Sequence, residues 1–107
     1  MSLSRDYRGT IRERVQREPE FAIALFDEAI SLFLNGEPET ARLILRDLVN
    51  ATIGFEELSN ATAKPSKSLH RMLSAKGNPT MDNLTTIFSI LRRNLNVDIE
   101  VHTVHNQ

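Results

Sequence analysis

Apolar residues recur at helical spacing in five stretches of the chain, and Gly or Pro stands between most of them. A proline suits the first turn of a helix, and a glycine suits the residue beyond its end. Together with the three- and four-residue spacing of the apolar positions, these breaks predict helices at 19–35, 38–50, 55–62, 65–74 and 80–95. The apolar arc of the first is too wide for one neighbour, so that helix is either central to the domain or partly an interface.

The first seventeen residues do not share this pattern. They are polar and rich in arginine, and Ile11 and Val15 form an isolated apolar pair one turn apart. This composition predicts an arm or a short helix over residues 1–17, followed by a helical domain at 18–95.

The last segment, residues 96–107, has a different period. Val97, Ile99 and Val101 alternate with polar residues, which is typical of a β-strand. A single strand needs a partner for its backbone groups, and no earlier segment has this pattern. The fold class predicted is therefore all-α with one C-terminal β-strand, which pairs with its copy across a symmetric dimer.

The composition is that of one soluble globular domain. The chain has 107 residues, of which 40% are hydrophobic and 25% charged, and both fractions are near the average for folded proteins. It contains no cysteine, which excludes disulfides and thiolate chemistry. No apolar run reaches the ~18 residues that span a bilayer, and the first residues lack the apolar region of a signal peptide. We therefore expect a cytoplasmic protein that does not bind membranes.

The formal net charge of −1 conceals two blocks of opposite sign. Residues 18–57 hold nine acids against two arginines, a balance of −7, whereas residues 58–95 hold six bases against Asp82, a balance of +5. Blocks of this kind are usually solvated faces. The position of each basic residue on its helix therefore decides whether it indicates a binding surface.

The two short helices 55–62 and 65–74, joined by two residues, have the spacing of a helix-turn-helix. The segment FEELSNATAKPSKSLHRM at 55–72 resembles the lambda-repressor-like helix-turn-helix family, whose buried positions are matched here by Leu58, Ser59, Leu69 and Met72. The turn Gly77-Asn78-Pro79-Thr80 is followed by apolar residues that match the next helix of that family, Leu84, Ile87 and Leu91. The resemblance implies a five-helix DNA-binding domain.

The sequence departs from the family pattern at the turn. Ala63 stands where the family usually has glycine, and Lys64 stands where it has an apolar residue. A residue with a side chain in a left-handed turn costs about 1–2 kcal/mol, which is tolerable. Lys64 can bury its aliphatic stem and keep its ammonium group in water.

A narrower resemblance covers about residues 20–104. The acidic N-terminal helix, the run LRDLVNATIGF at 45–55, the run KSLHRML at 67–73 and Gly77-Asn78-Pro79 are similar to the addiction-module antidote (antitoxin) proteins. This resemblance implies a bacterial antitoxin or related regulator that binds operator DNA as a dimer. It also implies a cognate toxin, a basic protein, as a candidate partner.

Helix 65–74 is the candidate recognition helix. The second helix of a helix-turn-helix enters the major groove by its N-terminus, so its early outward residues reach the base edges. These residues are Ser66, Lys67 and Arg71, and Lys and Arg can donate to O6 and N7 of guanine. Contacts with the DNA backbone are expected from the surrounding residues, which are Lys64, Ser68, His70, Lys76, Asn78 and Thr80. The first N–H groups of helix 80–95 offer a further anion site.

Two other classes of function remain open. The alternative is a non-catalytic protein-binding module in which the acidic helices of 18–57 hold a basic partner. An enzyme is the weakest reading, because the hydroxyls of 66–74 have no paired His and acid, and no phosphate loop or carboxylate pair occurs. His102 and His105 lack the Cys or clustered acids of a metal site, so we expect no metal and no cofactor.

Overall fold

The computed structural model describes residues 3–106, with side chains from residue 10 onward, and this part of the chain contains helices and no strand. The all-α class predicted from the periodicity is therefore confirmed for these residues. The helices are α1 (Leu3–Arg17), α2 (Pro19–Leu34), α3 (Pro38–Ala51), α4 (Phe55–Thr62), α5 (Ser66–Met72) and α6 (Met81–Leu95). Within 3–106, no helix is both long enough and apolar enough to pass through a bilayer.

The prediction of five helices is corrected to six, because the N-terminal segment forms the full helix α1. Its apolar pair, Ile11 and Val15, is buried in the common core where α1 packs against α2 and α3. The guanidinium of Arg14 lies over the ring of Phe21, 4.1 Å from its centroid, and its Nε is 2.8 Å from a carboxylate oxygen of Glu18. Packing against α2 and α3 therefore holds α1 at Ile11 and Val15.

The connection between α2 and α3 positions the most extensive helix pair of the fold. Gly36 has φ +86°, a conformation that strains any residue with a Cβ. The N–H of Glu37 donates to the carbonyl of Leu32 at 2.8 Å, and the N–H of Gly36 donates to that of Phe33 at 3.4 Å. This is a Schellman motif, which ends α2 and lets Pro38 start α3.

One hydrophobic core joins all six helices. The rings of Phe88 on α6 and Phe26 on α2 form a T-shaped pair, with centroids 6.0 Å apart. Fully buried aliphatic residues come from each of the last four helices or the residues just after them: Leu45, Leu48, Val49, Leu58, Leu69, Leu73, Ile87 and Leu91. The short helices α4 and α5 are therefore held by the same core as the long ones, which fixes the side of α5 that faces solvent.

Residues 96–106 form neither helix nor strand in the single chain. Asn96 adopts the left-handed conformation, and the N–H of Val97 donates to the carbonyl of Arg92 at 3.0 Å, so α6 ends in a second Schellman motif. The strand predicted at Val97, Ile99 and Val101 requires a second copy of the chain. It stays a prediction.

Candidate nucleic-acid interface

The turn between α4 and α5 is held by side chains of α4. Ala63 has the left-handed conformation expected at this point, with φ 57° and ψ 29°. The hydroxyl of Ser59 donates to the carbonyl of Lys64, and the hydroxyl oxygen of Thr62 accepts from the N–H of Lys64 at 3.3 Å. Ser59, which matches a buried position of the helix-turn-helix family, therefore also ties α4 to the start of α5.

Helix α5 is anchored to the hydrophobic core by Leu69, within the helix, and Leu73, just after it. Both are fully buried. It runs from Ser66 to Met72, slightly shorter than the predicted 65–74. Pro65 is the N-cap residue and Leu73 the C-cap residue, so both lie just outside the helix. The opposite side of α5 therefore faces solvent, and it carries the residues predicted to contact bases.

Lys67 and Arg71 lie one turn apart on α5, and both are exposed. Neither forms an ion pair with a carboxylate in the described part of the chain, and residues 58–81 contain no acid. Ser66, the first residue of α5, is half-buried. The two cations therefore lie on one side of the helix with their donors available to an external acceptor.

Several of the residues predicted to contact the DNA backbone lie beside this face. Ser68, Arg71, Met72 and Asn78 line one shallow pocket, so the loop after α5 brings Asn78 next to the helix. The other two lysines bracket α5 in the chain, Lys64 half-buried before its N-terminus and Lys76 exposed after its C-terminus. The structure thus groups three of the predicted residues around one pocket and leaves the two lysines outside its lining.

His70 has a packing role that the sequence did not indicate. Its imidazole stacks on the ring of Phe55, with centroids 3.8 Å apart and planes at 19°. One face of the imidazole is therefore covered by α4, and any contact with a phosphate would use the edge of the ring. The residue spacing gave no signal for this stack, because Phe55 and His70 belong to different helices.

Thr80, one of the residues predicted to contact the DNA backbone, is the N-cap residue of α6. Its hydroxyl oxygen accepts the N–H of Asn83 at 3.1 Å. Asp82 adds a carboxylate to the first turn of the same helix. Since one N–H is taken and a negative charge lies beside the others, the N-terminus of α6 is less suited to a phosphate than its sequence indicated.

Arg42 on α3 positions the loop after α5, and sequence analysis missed it. Its Nε donates to the carbonyl of Ser74 at 2.9 Å, and one of its terminal nitrogens donates to the carbonyl of Ala75 at 2.7 Å. This half-buried guanidinium therefore fixes the chain between α5 and Lys76. The sequence presented Arg42 only as one base in an acidic block, and no local pattern marks a contact across 32 residues.

Gly77 allows the same loop to turn back against α5. A Cβ at this position would collide with the carbonyl oxygens of Arg71 and Met72. The N–H of Gly77 donates to the carbonyl of Ser74 at 3.0 Å. Glycine is therefore required here by the close approach of two backbone segments, which sets the path from α5 to Asn78.

The residues predicted for the dimer strand lie on a different surface. Val97 is half-buried and packs against the core, whereas Ile99 and Val101 are exposed. Ile99 and Val101, together with Ile30 and Leu34 of α2, line a groove between that helix and the C-terminal segment. The candidate interface on α5 and this groove are therefore two separate surfaces.

In the part of the chain that the structure covers, no three His, Asp or Glu side chains lie close enough together to hold a metal ion. Comparison of the chain with protein-family models, with curated proteins and with solved structures finds no match. The case for function therefore depends on the geometry and charge of α5 and its surroundings.

Proposed function

We propose that this protein is a cytoplasmic, sequence-specific DNA-binding regulator that binds operator DNA as a dimer, with α5 in the major groove. The observation that carries the proposal is the pair Lys67 and Arg71, exposed one turn apart on α5 without a carboxylate partner among the described residues. Surface cations without a partner are common. This pair lies on the solvent side of the second helix of a predicted helix-turn-helix, the helix that contacts base edges in that motif.

The chemistry of the residues around this pair fits a division between reading and positioning. Arg71 can donate two hydrogen bonds to O6 and N7 of guanine, and Lys67 can donate to the same atoms. Asn78 and Ser68 offer short polar groups beside Arg71, and Lys64 and Lys76 offer charge at the two ends of α5. Contacts of these flanking residues with phosphates would position the protein on the duplex without selecting its sequence.

The resemblance to the antidote proteins supports a more specific role, that of the antitoxin in a toxin–antitoxin module. In that role the acidic surface of residues 18–57 would hold a basic toxin. The neighbouring reading frame tests this directly. A small basic protein encoded immediately beside this gene, and captured by the purified chain, is the expected result. A gene that stands alone would leave a solitary regulator.

DNA binding is tested with duplexes selected from a random pool on the purified protein, and affinity is then measured by fluorescence anisotropy. We expect Arg71→Ala to weaken binding to the selected duplex by about 1–3 kcal/mol, roughly 5- to 150-fold, and to relax the sequence preference at one position. Lys76→Ala should weaken selected and random duplexes by the same factor, since a phosphate contact carries no sequence information.

Arg93→Ala is the matched control for both variants. Arg93 is exposed near the C-terminus of α6, about 20 Å along the helix from Thr80, and its replacement removes the same charge as Arg71→Ala. It should leave both affinities unchanged. If Arg71→Ala lowered the affinity for selected and random duplexes equally, Arg71 would not read a base.

A second candidate function is a protein-binding module without DNA. The observation that favours it is the exposure of every acid in residues 18–57 except Asp47, which is half-buried. A basic protein captured by the chain, together with a random-pool selection that enriches no duplex, would support this function over the first.

A further inference from the structure

The C-terminal segment leaves apolar side chains and backbone groups without partners in the single chain. Ile99, Val101 and Val104 are 38%, 60% and 87% exposed, and Leu34 at the end of α2 is 62% exposed beside them. The last backbone N–H that donates to another backbone group in the described chain is that of Val97. Residues 98–106 therefore combine free backbone groups with exposed apolar side chains, the two properties that drive strand pairing.

The start of this segment is fixed to the body of the protein. The Schellman motif at Asn96 turns the chain out of α6, and Val97 packs against the core. Arg92 then pairs with Asp98, with 3.1 Å between the guanidinium nitrogen and the carboxylate oxygen. The segment therefore leaves the helical body at a defined point, which lowers the entropy lost when it pairs.

A two-stranded ribbon is marginal in water unless it packs against another element. The groove beside the C-terminal segment supplies such a support, because Ile30 and Leu34 of α2 line it together with Ile99, Val101 and Val104. A ribbon formed by two C-terminal segments would cover Leu34, which α2 leaves exposed, and the half-buried Ile30. The occupant that fits is a second copy of this chain.

Like-charge pairs exclude two of the registers that this ribbon could adopt. In an antiparallel pair around a two-fold axis perpendicular to the ribbon, opposite residues point to the same face, so the axis passes through a residue and that residue lies opposite its own copy. An axis at Ile99 would set Asp98 opposite Glu100, and an axis at Glu100 would set two glutamates opposite each other. Both place like charges together, which destabilises the pair.

An axis at Val101 has neither defect. It sets Val101 opposite its copy, Ile99 opposite Thr103, and Glu100 opposite His102 twice. Glu100 and His102 already lie on one side of the segment, with 3.5 Å between Oε2 and Nε2. We propose that two copies pair through residues 97–105 as antiparallel strands with the two-fold axis at Val101, and that the ribbon packs on Leu34. This inference deepens the dimer of the proposed function and rests on it.

Because the chain has no cysteine, a scan of single cysteines reports the register without background. The full-length variants are Ile99→Cys, Glu100→Cys, Val101→Cys, His102→Cys and Thr103→Cys, each oxidised under the same mild conditions. We expect Val101→Cys to give a disulfide-linked dimer. Ile99→Cys and Thr103→Cys should stay monomeric on denaturing gels, because their copies are about 13 Å apart along the ribbon, beyond the reach of a disulfide.

The double variant Ile99→Cys/Thr103→Cys is a positive control, since the axis at Val101 sets these two positions opposite each other. Leu34→Lys should shift the chain from dimer to monomer in light scattering, because it places charge under the ribbon. Leu43→Lys is the matched control, since Leu43 is an exposed apolar residue on α3 outside the lining of the groove, and it should leave the dimer intact.

Two results would overturn the inference: equal crosslinking at all five positions, or a maximum at a position other than Val101. Its failure can be told apart from failure of the proposed function. A protein that binds its selected duplex as a dimer without crosslinking at 99–103 dimerises through another surface, and its DNA binding stands. A protein that crosslinks at Val101→Cys but enriches no duplex has this dimer and another function.

Discussion

Ala63 occupies a backbone conformation that costs free energy in any residue with a Cβ. Its φ of 57° and ψ of 29° lie in the left-handed region, for which the penalty is about 1–2 kcal/mol. Glycine removes this penalty but loses about 0.5–1 kcal/mol more backbone entropy on folding. We therefore expect Ala63→Gly to raise the free energy of unfolding by about 0.5–1 kcal/mol, measured by urea denaturation.

Ala24→Gly is the control for this prediction. Ala24 is exposed within α2, where the backbone is helical and glycine has only its entropic disadvantage. It should lower the free energy of unfolding by about 1 kcal/mol. The same substitution should thus have opposite signs at two exposed alanines. If both variants were destabilised alike, the left-handed strain at Ala63 would not be real.

Residues differ in how far the sequence could predict their surroundings. The exposure of Lys67 and Arg71 followed from the helical period, since Leu69 and Leu73 face the core on the opposite side of α5. The stack of His70 on Phe55 did not follow, because it depends on how α4 and α5 cross. A periodic pattern gives the buried side of each helix and does not give the contacts between helices.

At the scale of elements, we expect Arg42 of α3 to hold the loop that follows α5 in place. Arg42→Met would retain much of the side-chain volume but leave the carbonyls of Ser74 and Ala75 without their donors. We expect a loss of about 1.5–3 kcal/mol in the free energy of unfolding, because hydrogen bonds to a charged donor are worth about this much. Thermal and urea unfolding would measure it.

Two further variants separate the geometry of Arg42 from its charge. Arg42→Lys keeps the charge but cannot reach two carbonyls with a planar fork, so it should recover only part of the loss. Arg46→Met removes the same charge one turn further along α3. Arg46 is half-buried, and its side chain makes no hydrogen bond with another described residue. It should cost less than about 0.5 kcal/mol. Equal losses at the two positions would contradict a specific role for Arg42.

The bounds of α2 to α6 were predictable to within a few residues, because Pro19, Pro38, Gly36 and Thr80 mark helix ends by local rules. α1 was not predictable as a complete helix, since Ile11 and Val15 are stabilised by α2 and α3 and not by neighbours in the sequence. The predicted C-terminal strand also depends on contacts outside its own segment. Whether its pattern forms a strand depends on a second copy.

At the scale of the whole molecule, the net charge of −1 would by itself oppose binding to DNA. Charges separated by more than the Debye length, about 8–10 Å at physiological salt, are largely screened from each other in solvent. The acids of α2 belong to a helix that does not pack extensively against α5 in the described part of the chain. Binding should therefore follow the local charge around α5, and the total charge should matter little.

The salt dependence of binding tests this directly. The logarithm of the affinity should fall linearly with the logarithm of salt concentration, with a slope of about −0.9 for each phosphate contact. Lys76→Ala, present in both copies of a dimer, should make the slope shallower by about 2.

Glu20→Gln is the control. Glu20 lies beside Arg14 and Phe21 at the start of α2, and this substitution changes the total charge by the same amount in the opposite direction. It should leave the slope unaltered and the affinity within about twofold, because screening isolates it from the duplex. If Glu20→Gln strengthened binding as much as Lys76→Ala weakened it, the molecule would respond to its total charge, and α5 would not be the principal contact with DNA.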